Sequence, residues 1–151
     1  MHLSRLIPLL CLSLLPLLSG CQSAREPGSS SMASVRIEGA TRDQVVAATK
    51  AVFSEDGYTL TANSPSELVF QRQGSRRDAL KYGGWFGEGV VMRVNVRFSP
   101  AGDGAELVQA DVRAVRNAGD PFFADDSRAM MPGRAKYQSM LDEVRSRLKK
   151  K

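Results

Sequence analysis

Val90-Val91-Met92-Arg93-Val94-Asn95-Val96-Arg97-Phe98 alternates residue by residue. Met92, Val94, Val96 and Phe98 fall on one side; Arg93, Asn95 and Arg97 fall on the other. A period of two belongs to a strand with one face in a core and the other in water. The next six residues, SPAGDG at Ser99–Gly104, are turn formers. Ala105–Arg116 then resumes the alternation, with Val108, Ala110, Val112 and Ala114 inward and Arg113 outward. The two runs predict an antiparallel hairpin with an apolar face to be covered.

Upstream, Glu67–Gln71 and Tyr58–Ala62 read as two shorter strands joined by the turn Asn63-Ser64-Pro65-Ser66. Tyr58, Leu60 and Ala62 are expected on one side. Thr41-Arg42-Asp43-Gln44 has the capping-box pattern, Thr at the N-cap and Gln at N3. Val45, Thr49, Val52 and Phe53 follow on one helical face, and Gly57 is placed to end that helix. Ser34–Glu38 reads as a first strand with Val35 and Ile37 inward. Gly133–Lys150 reads as a last amphipathic helix carrying Tyr137, Met140, Leu141, Val144 and Leu148. Asn117–Pro132 has no regular pattern. The order is strand, helix, four strands, helix. It predicts an α+β domain over residues 34–151, a four- to five-stranded, mainly antiparallel sheet with two helices on one face.

The first 20 of the 151 residues differ from the rest. Met1–Arg5 carries one basic side chain, and Leu6–Leu18 is an apolar run of 13 interrupted by Pro8 and Pro16. A membrane-spanning helix needs about 20 apolar residues, so the run suits an export signal. The next residues, Leu18-Ser19-Gly20-Cys21, resemble the lipobox of bacterial lipoproteins. That resemblance implies cleavage before Cys21, a diacylglyceryl thioether on its sulfur and acylation (palmitate or similar) of its amine. Gln22 stands where Asp often marks retention in the inner membrane, which implies an outer-membrane anchor with the domain facing the periplasm. Residues 21–33 are expected to form the lipidated cysteine and a Ser-rich tether. Twelve flexible residues reach roughly 20 Å, which keeps the domain near the membrane.

Beyond residue 20 the chain has 20 basic and 16 acidic residues, a net charge of +4, and no histidine, because the single His is His2. The two cysteines are Cys11 and Cys21. A Ser-His-Asp triad, a Cys-His nucleophile, an internal disulfide and the usual zinc sites are therefore excluded from the domain. The glycines match no phosphate-binding loop. Asp120, Asp125 and Asp126 supply too few oxygens for a calcium loop. No catalytic residue, metal or cofactor is expected, although an enzyme built on carboxylates or Ser and Lys alone stays open, and an exported chain is not expected to meet nucleic acid.

Asp56-Gly57-Tyr58 leading into a strand, the central hairpin and the closing Tyr137-Gln138-Ser139-Met140-Leu141 helix are similar to the helix-grip domains of the BamC lipoprotein family. That family belongs to the machinery that assembles outer-membrane β-barrels. The resemblance implies the fold and, through it, a protein-interaction or assembly-accessory role.

Two surfaces stand out. The stretch Gly74–Gly89 places Arg76, Arg77 and Lys81 beside Tyr82, Trp85 and Phe86 among five glycines. It reads either as a contact loop with aromatic anchors or as a loop whose rings fold back over the domain. Arg93, Arg97 and Arg113, with Arg116, make a basic outer sheet face. That face suits anionic lipid headgroups or an acidic partner; alternatively it is a solvated face balanced by Asp111 and Glu106. The expected function is that of a non-catalytic, membrane-anchored envelope lipoprotein that binds an envelope protein complex. The alternative is a binding domain for a lipid or peptidoglycan-type ligand, which would require a ligand-sized hollow under the helices.

Overall fold

The computed structural model describes residues 31–82, 89–116, 125–129 and 133–149. Nine elements follow one another: β1 (Ala33–Ile37), α1 (Arg42–Glu55), β2 (Thr59–Asn63), β3 (Glu67–Gln73), α2 (Arg76–Tyr82), β4 (Val90–Pro100), β5 (Glu106–Arg116), β6 (Asp125–Arg128) and α3 (Arg134–Lys149). The domain is α+β. Its sheet is antiparallel throughout, in the order β1-β5-β4-β3-β2, with β6 also paired to β5. The hairpin is its spine: all eleven residues of β4, Val90 to Pro100, pair with β5 from Arg116 to Glu106.

The alternation places side chains as expected. Met92, Val94, Val96 and Phe98 are buried, as are Val108, Ala110, Val112 and Ala114. α1 and α3 lie on this face and pack on each other. Phe53, Val45, Leu141 and Val144 meet Leu68 and Phe70 there, all at 0% exposure. Phe53 stacks on Phe70 at 4.6 Å between ring centres and meets Tyr58 edge-on at 5.7 Å. Each such side chain contributes about 1.5–3 kcal/mol by leaving water. Buried Thr49 donates its hydroxyl to the Val45 carbonyl at 2.8 Å, so its polar atom is satisfied.

The capping box of α1 forms at both halves. The Gln44 N–H donates to Thr41 Oγ1 at 3.4 Å, and the Thr41 N–H to Gln44 Oε1 at 2.9 Å. At the other end Gly57 takes φ +81°, which a side chain would resist. There the Tyr58 N–H donates to Phe53 O and the Gly57 N–H to Ser54 O, both at 3.0 Å. This is a Schellman closure, and it aims Tyr58 into the core.

Several expectations need correction. The sheet has six strands, not four or five, and there are three helices, not two. The added strand, β6, has the sequence DDSR and no apolar alternation; it forms because β5 runs past β1 and offers Arg113–Arg116 an unpaired backbone edge. The added helix, α2, lies in the stretch read as a contact loop. Its Ser75-Arg76-Arg77-Asp78 start is a second capping pattern, and no Gly or Pro lies within residues 76–82. The tether ends earlier than residue 33: Ser31, Met32 and Ala33 are buried, because Ala33 continues the inward series of Val35 and Ile37. Ala62 does not share a side with Tyr58, since a bulge between Leu60 and Ala62 shifts the register and leaves Ala62 exposed.

Candidate functional site

The outer sheet face carries the arginines of the hairpin. Register puts Arg93 directly opposite Arg113, a like-charge pair that costs stability when left alone. β6 relieves it. Asp126 Oδ2 lies 3.8 Å from Arg93 Nη1 and 3.6 Å from Arg113 Nη1. The acid that neutralises this pair is thus Asp126, carried on β6. Glu106, expected to balance this face, instead lies 3.6 Å from Arg42 Nη1. Arg42 also donates to Phe98 O and Pro65 O, which ties α1 to β4 and to the β2–β3 turn. Asn95 donates to Glu67 Oε1 at 3.1 Å. Arg97 and Arg113 remain exposed, and Arg116 is partly buried. Arg97 makes no ion pair among the described residues.

The stretch read as a contact loop divides. Trp85 and Phe86 lie outside the described residues, as does Cys21. Tyr82 belongs to α2 and packs partly buried against the core, so it is not a free anchor. Arg76, Arg77 and Lys81 are exposed on α2. The helix is held firmly. Asp78 Oδ2 accepts from the Ser75 N–H at 2.8 Å and the Ser75 hydroxyl at 2.7 Å, while the Asp78 N–H donates to Ser75 Oγ at 3.2 Å. Gly74 sits so close to β4 that a Cβ there would meet Val90 O at 2.7 Å. Arg72 Nη2 lies 3.9 Å from Asp78, and its guanidinium lies 5.0 Å from the centre of the Tyr58 ring. α2 is thereby joined to the core by Asp78 and Arg72, and Leu80 points away at 80% exposure.

One arrangement escaped the sequence reading. The Tyr58 and Tyr137 hydroxyls meet at 2.9 Å in the interior, 79 residues apart in the chain. Burial above all, and then neighbouring Tyr58, push the Tyr137 hydroxyl above the usual tyrosine range. Beside them Lys136 pairs with Asp56 at 2.6 Å. The segments Asp56–Tyr58 and Tyr137–Leu141 therefore join the C-terminal end of α1 to the start of α3. The only signal in the sequence was the presence of a polar-tipped aromatic at a core position in each helix region.

Two surface hollows are lined by described residues. One, of about 360 Å³, lies between α1 and α3 and is lined by Val52, Glu55, Asp56, Met140, Glu143 and Arg147. Arg147 donates to both Glu55 oxygens at 2.8 and 2.6 Å and to Glu143 at 2.9 Å. The hydrogen bond from Arg147 holds the Glu55 carboxyl below its ordinary range. The other, of about 420 Å³, lies between α1 and the β2–β3 turn, near Arg42, Lys50 and Asn63. Among the described residues no group of three or more acidic, His or Cys side chains is placed to hold a metal. Nor is any helix there long and apolar enough to cross a membrane. No family model matches the sequence, and no curated protein does.

Proposed function

We propose that the chain is a non-catalytic lipoprotein of the cell envelope, anchored through acylated Cys21 in the outer membrane, whose periplasmic domain binds another envelope protein. The observation that carries this reading is Leu18-Ser19-Gly20-Cys21, placed behind a 13-residue apolar run and only ten residues before Ser31, where the chain enters the core. A domain on so short a tether works within roughly 20 Å of the bilayer. Its sheet presents Arg97 and Arg113 outward, which suits an acidic protein surface. The likeness to BamC-type helix-grip domains extends the reading to an accessory of β-barrel assembly. The ligand-binding alternative is less favoured, because the space between helices and sheet is filled by Phe53, Phe70, Leu141 and Val144.

Metabolic labelling with radioactive palmitate tests the anchor. The wild type is expected to take up label and Cys21→Ser to remain an unlabelled precursor; an unlabelled wild type overturns the reading. Detergent pull-down from crosslinked cells tests the partner. A protein retained by the wild type and lost by the Arg97→Glu, Arg113→Glu double variant supports the basic-face contact, and equal retention removes it.

A further inference from the structure

α2 presents an unusual surface. Arg76, Arg77, Leu80 and Lys81 are all exposed, while Asp78, Ala79 and Tyr82 turn inward. Arg76 and Leu80, like Arg77 and Lys81, are four residues apart and so lie on one helical face. None of the three cations makes an ion pair among the described residues. Leu80, at 80% exposure, is the one large apolar side chain left in water among them. Lys81 lies 5.3 Å from the centre of the Tyr82 ring, and an exposed leucine framed by cations without acidic partners among the described residues is the composition of a surface that lies on anionic lipid.

The position of α2 agrees. It joins the end of β3 to the start of β4, where Val90 pairs with Arg116. β1 runs antiparallel to β5 with Ala33 opposite Ala110, so the chain enters the sheet from the Arg116 side. The entry point at Ser31 and α2 therefore lie toward the same end of the sheet. Arg116 lies six residue steps beyond Ala110 on β5, about 20 Å along the strand. The ten residues from Cys21 to Ser31 have a similar root-mean-square reach, roughly 17 Å. A domain hung from that end can set α2 on the bilayer without stretching its tether.

We infer that the outward face of α2, Arg76, Arg77, Leu80 and Lys81, docks on the surface of an anionic phospholipid bilayer and turns this end of the sheet toward the membrane. The distance argument rests on the lipid-anchor reading; the charge and exposure of α2 do not.

Amide hydrogen exchange of the full lipidated chain, mixed with phosphatidylcholine vesicles or with phosphatidylglycerol-containing vesicles, tests the docking. Exchange of residues 76–82 is expected to slow on the anionic vesicles alone. Each cation near such a surface strengthens binding by about fivefold, so three bound the slowing at on the order of 100-fold. The effect should vanish in 1 M salt, where charges are screened within about 3 Å. It should also vanish in the Arg76→Ala, Arg77→Ala, Lys81→Ala variant, whose melting temperature should match the wild type. Flotation on the neutral vesicles reports the anchor separately. A chain that floats on both vesicles with equal exchange overturns the docking and leaves the anchor standing. A chain that floats only on anionic vesicles, reversibly with salt, upholds the docking and overturns the anchor. Slowing that survives salt or the triple variant overturns the docking, because the three cations then do not carry it.

Discussion

Tyr137 shows how a single buried hydroxyl ties two helical regions together. Its hydroxyl meets the Tyr58 hydroxyl, and both rings lie in the core. Tyr137→Phe leaves the Tyr58 hydroxyl buried without that partner, so the variant is expected to lose about 1–3 kcal/mol in urea unfolding. The same residue sets a pH dependence. Folding raises its pKa above the ordinary 10.0, so the folded state favours the neutral hydroxyl. This contribution is complete below about pH 10 and is lost as pH rises toward the elevated folded value. The wild-type melting temperature is expected to fall steeply above pH 10, and Tyr137→Phe should flatten that fall. An unchanged alkaline limb in the variant would assign the titration to another group. The pairing could not be read in the sequence: each tyrosine was placed on its face, but no local pattern joins residues 79 apart.

At the scale of elements, legibility followed periodicity. β4 and β5 were evident because Met92–Phe98 and Val108–Ala114 keep a period of two with turn formers between them, although Ser99 and Pro100, read as turn, extend β4. Val94 is at 0% exposure, whereas Asn95 is partly exposed on the outer face. Val94→Asp should therefore abolish cooperative unfolding, since it buries an unpaired charge. Asn95→Asp should lower the melting temperature by only a few degrees. Similar losses in both would contradict the facing. α2 was hidden by the surrounding glycines, which suggested a loop, although Ser75 and Asp78 already stood at capping distance. Asp78→Ala removes the acceptor of both Ser75 hydrogen bonds and the Arg72 contact. It is expected to cost about 1 kcal/mol and to speed amide exchange through α2. Unaltered exchange would mean that packing of Tyr82, not the cap, holds the helix. β6 was illegible for a different reason: nothing in DDSR asks for a strand, and the demand comes from the free edge of β5. The outward facing of Arg93 and Arg113 was likewise readable, but their shared Asp126 was not, because it arrives on that strand.

For the whole molecule, the order of the strands has a consequence for synthesis. β1 is completed at Ile37, yet its partner β5 begins only at Glu106. The last helix then closes on the first elements: Gln138 donates to Ser34 O across 104 residues, and Arg147 reaches Glu55 across 92. Contacts so distant in sequence cannot form until most of the chain is present, and they slow folding once it is. A nascent chain ending before residue 105 has the β2–β3–β4 meander without β5, β1's partner, and without α3 to cover it. Such truncations are expected to be digested rapidly by protease, whereas a chain ending at residue 151 resists; resistance in the short form would show that the meander folds alone. A polypeptide threaded through a narrow channel must stay unfolded on the way. On the export reading proposed above, this topology favours passage, because it delays stable collapse until the last elements emerge.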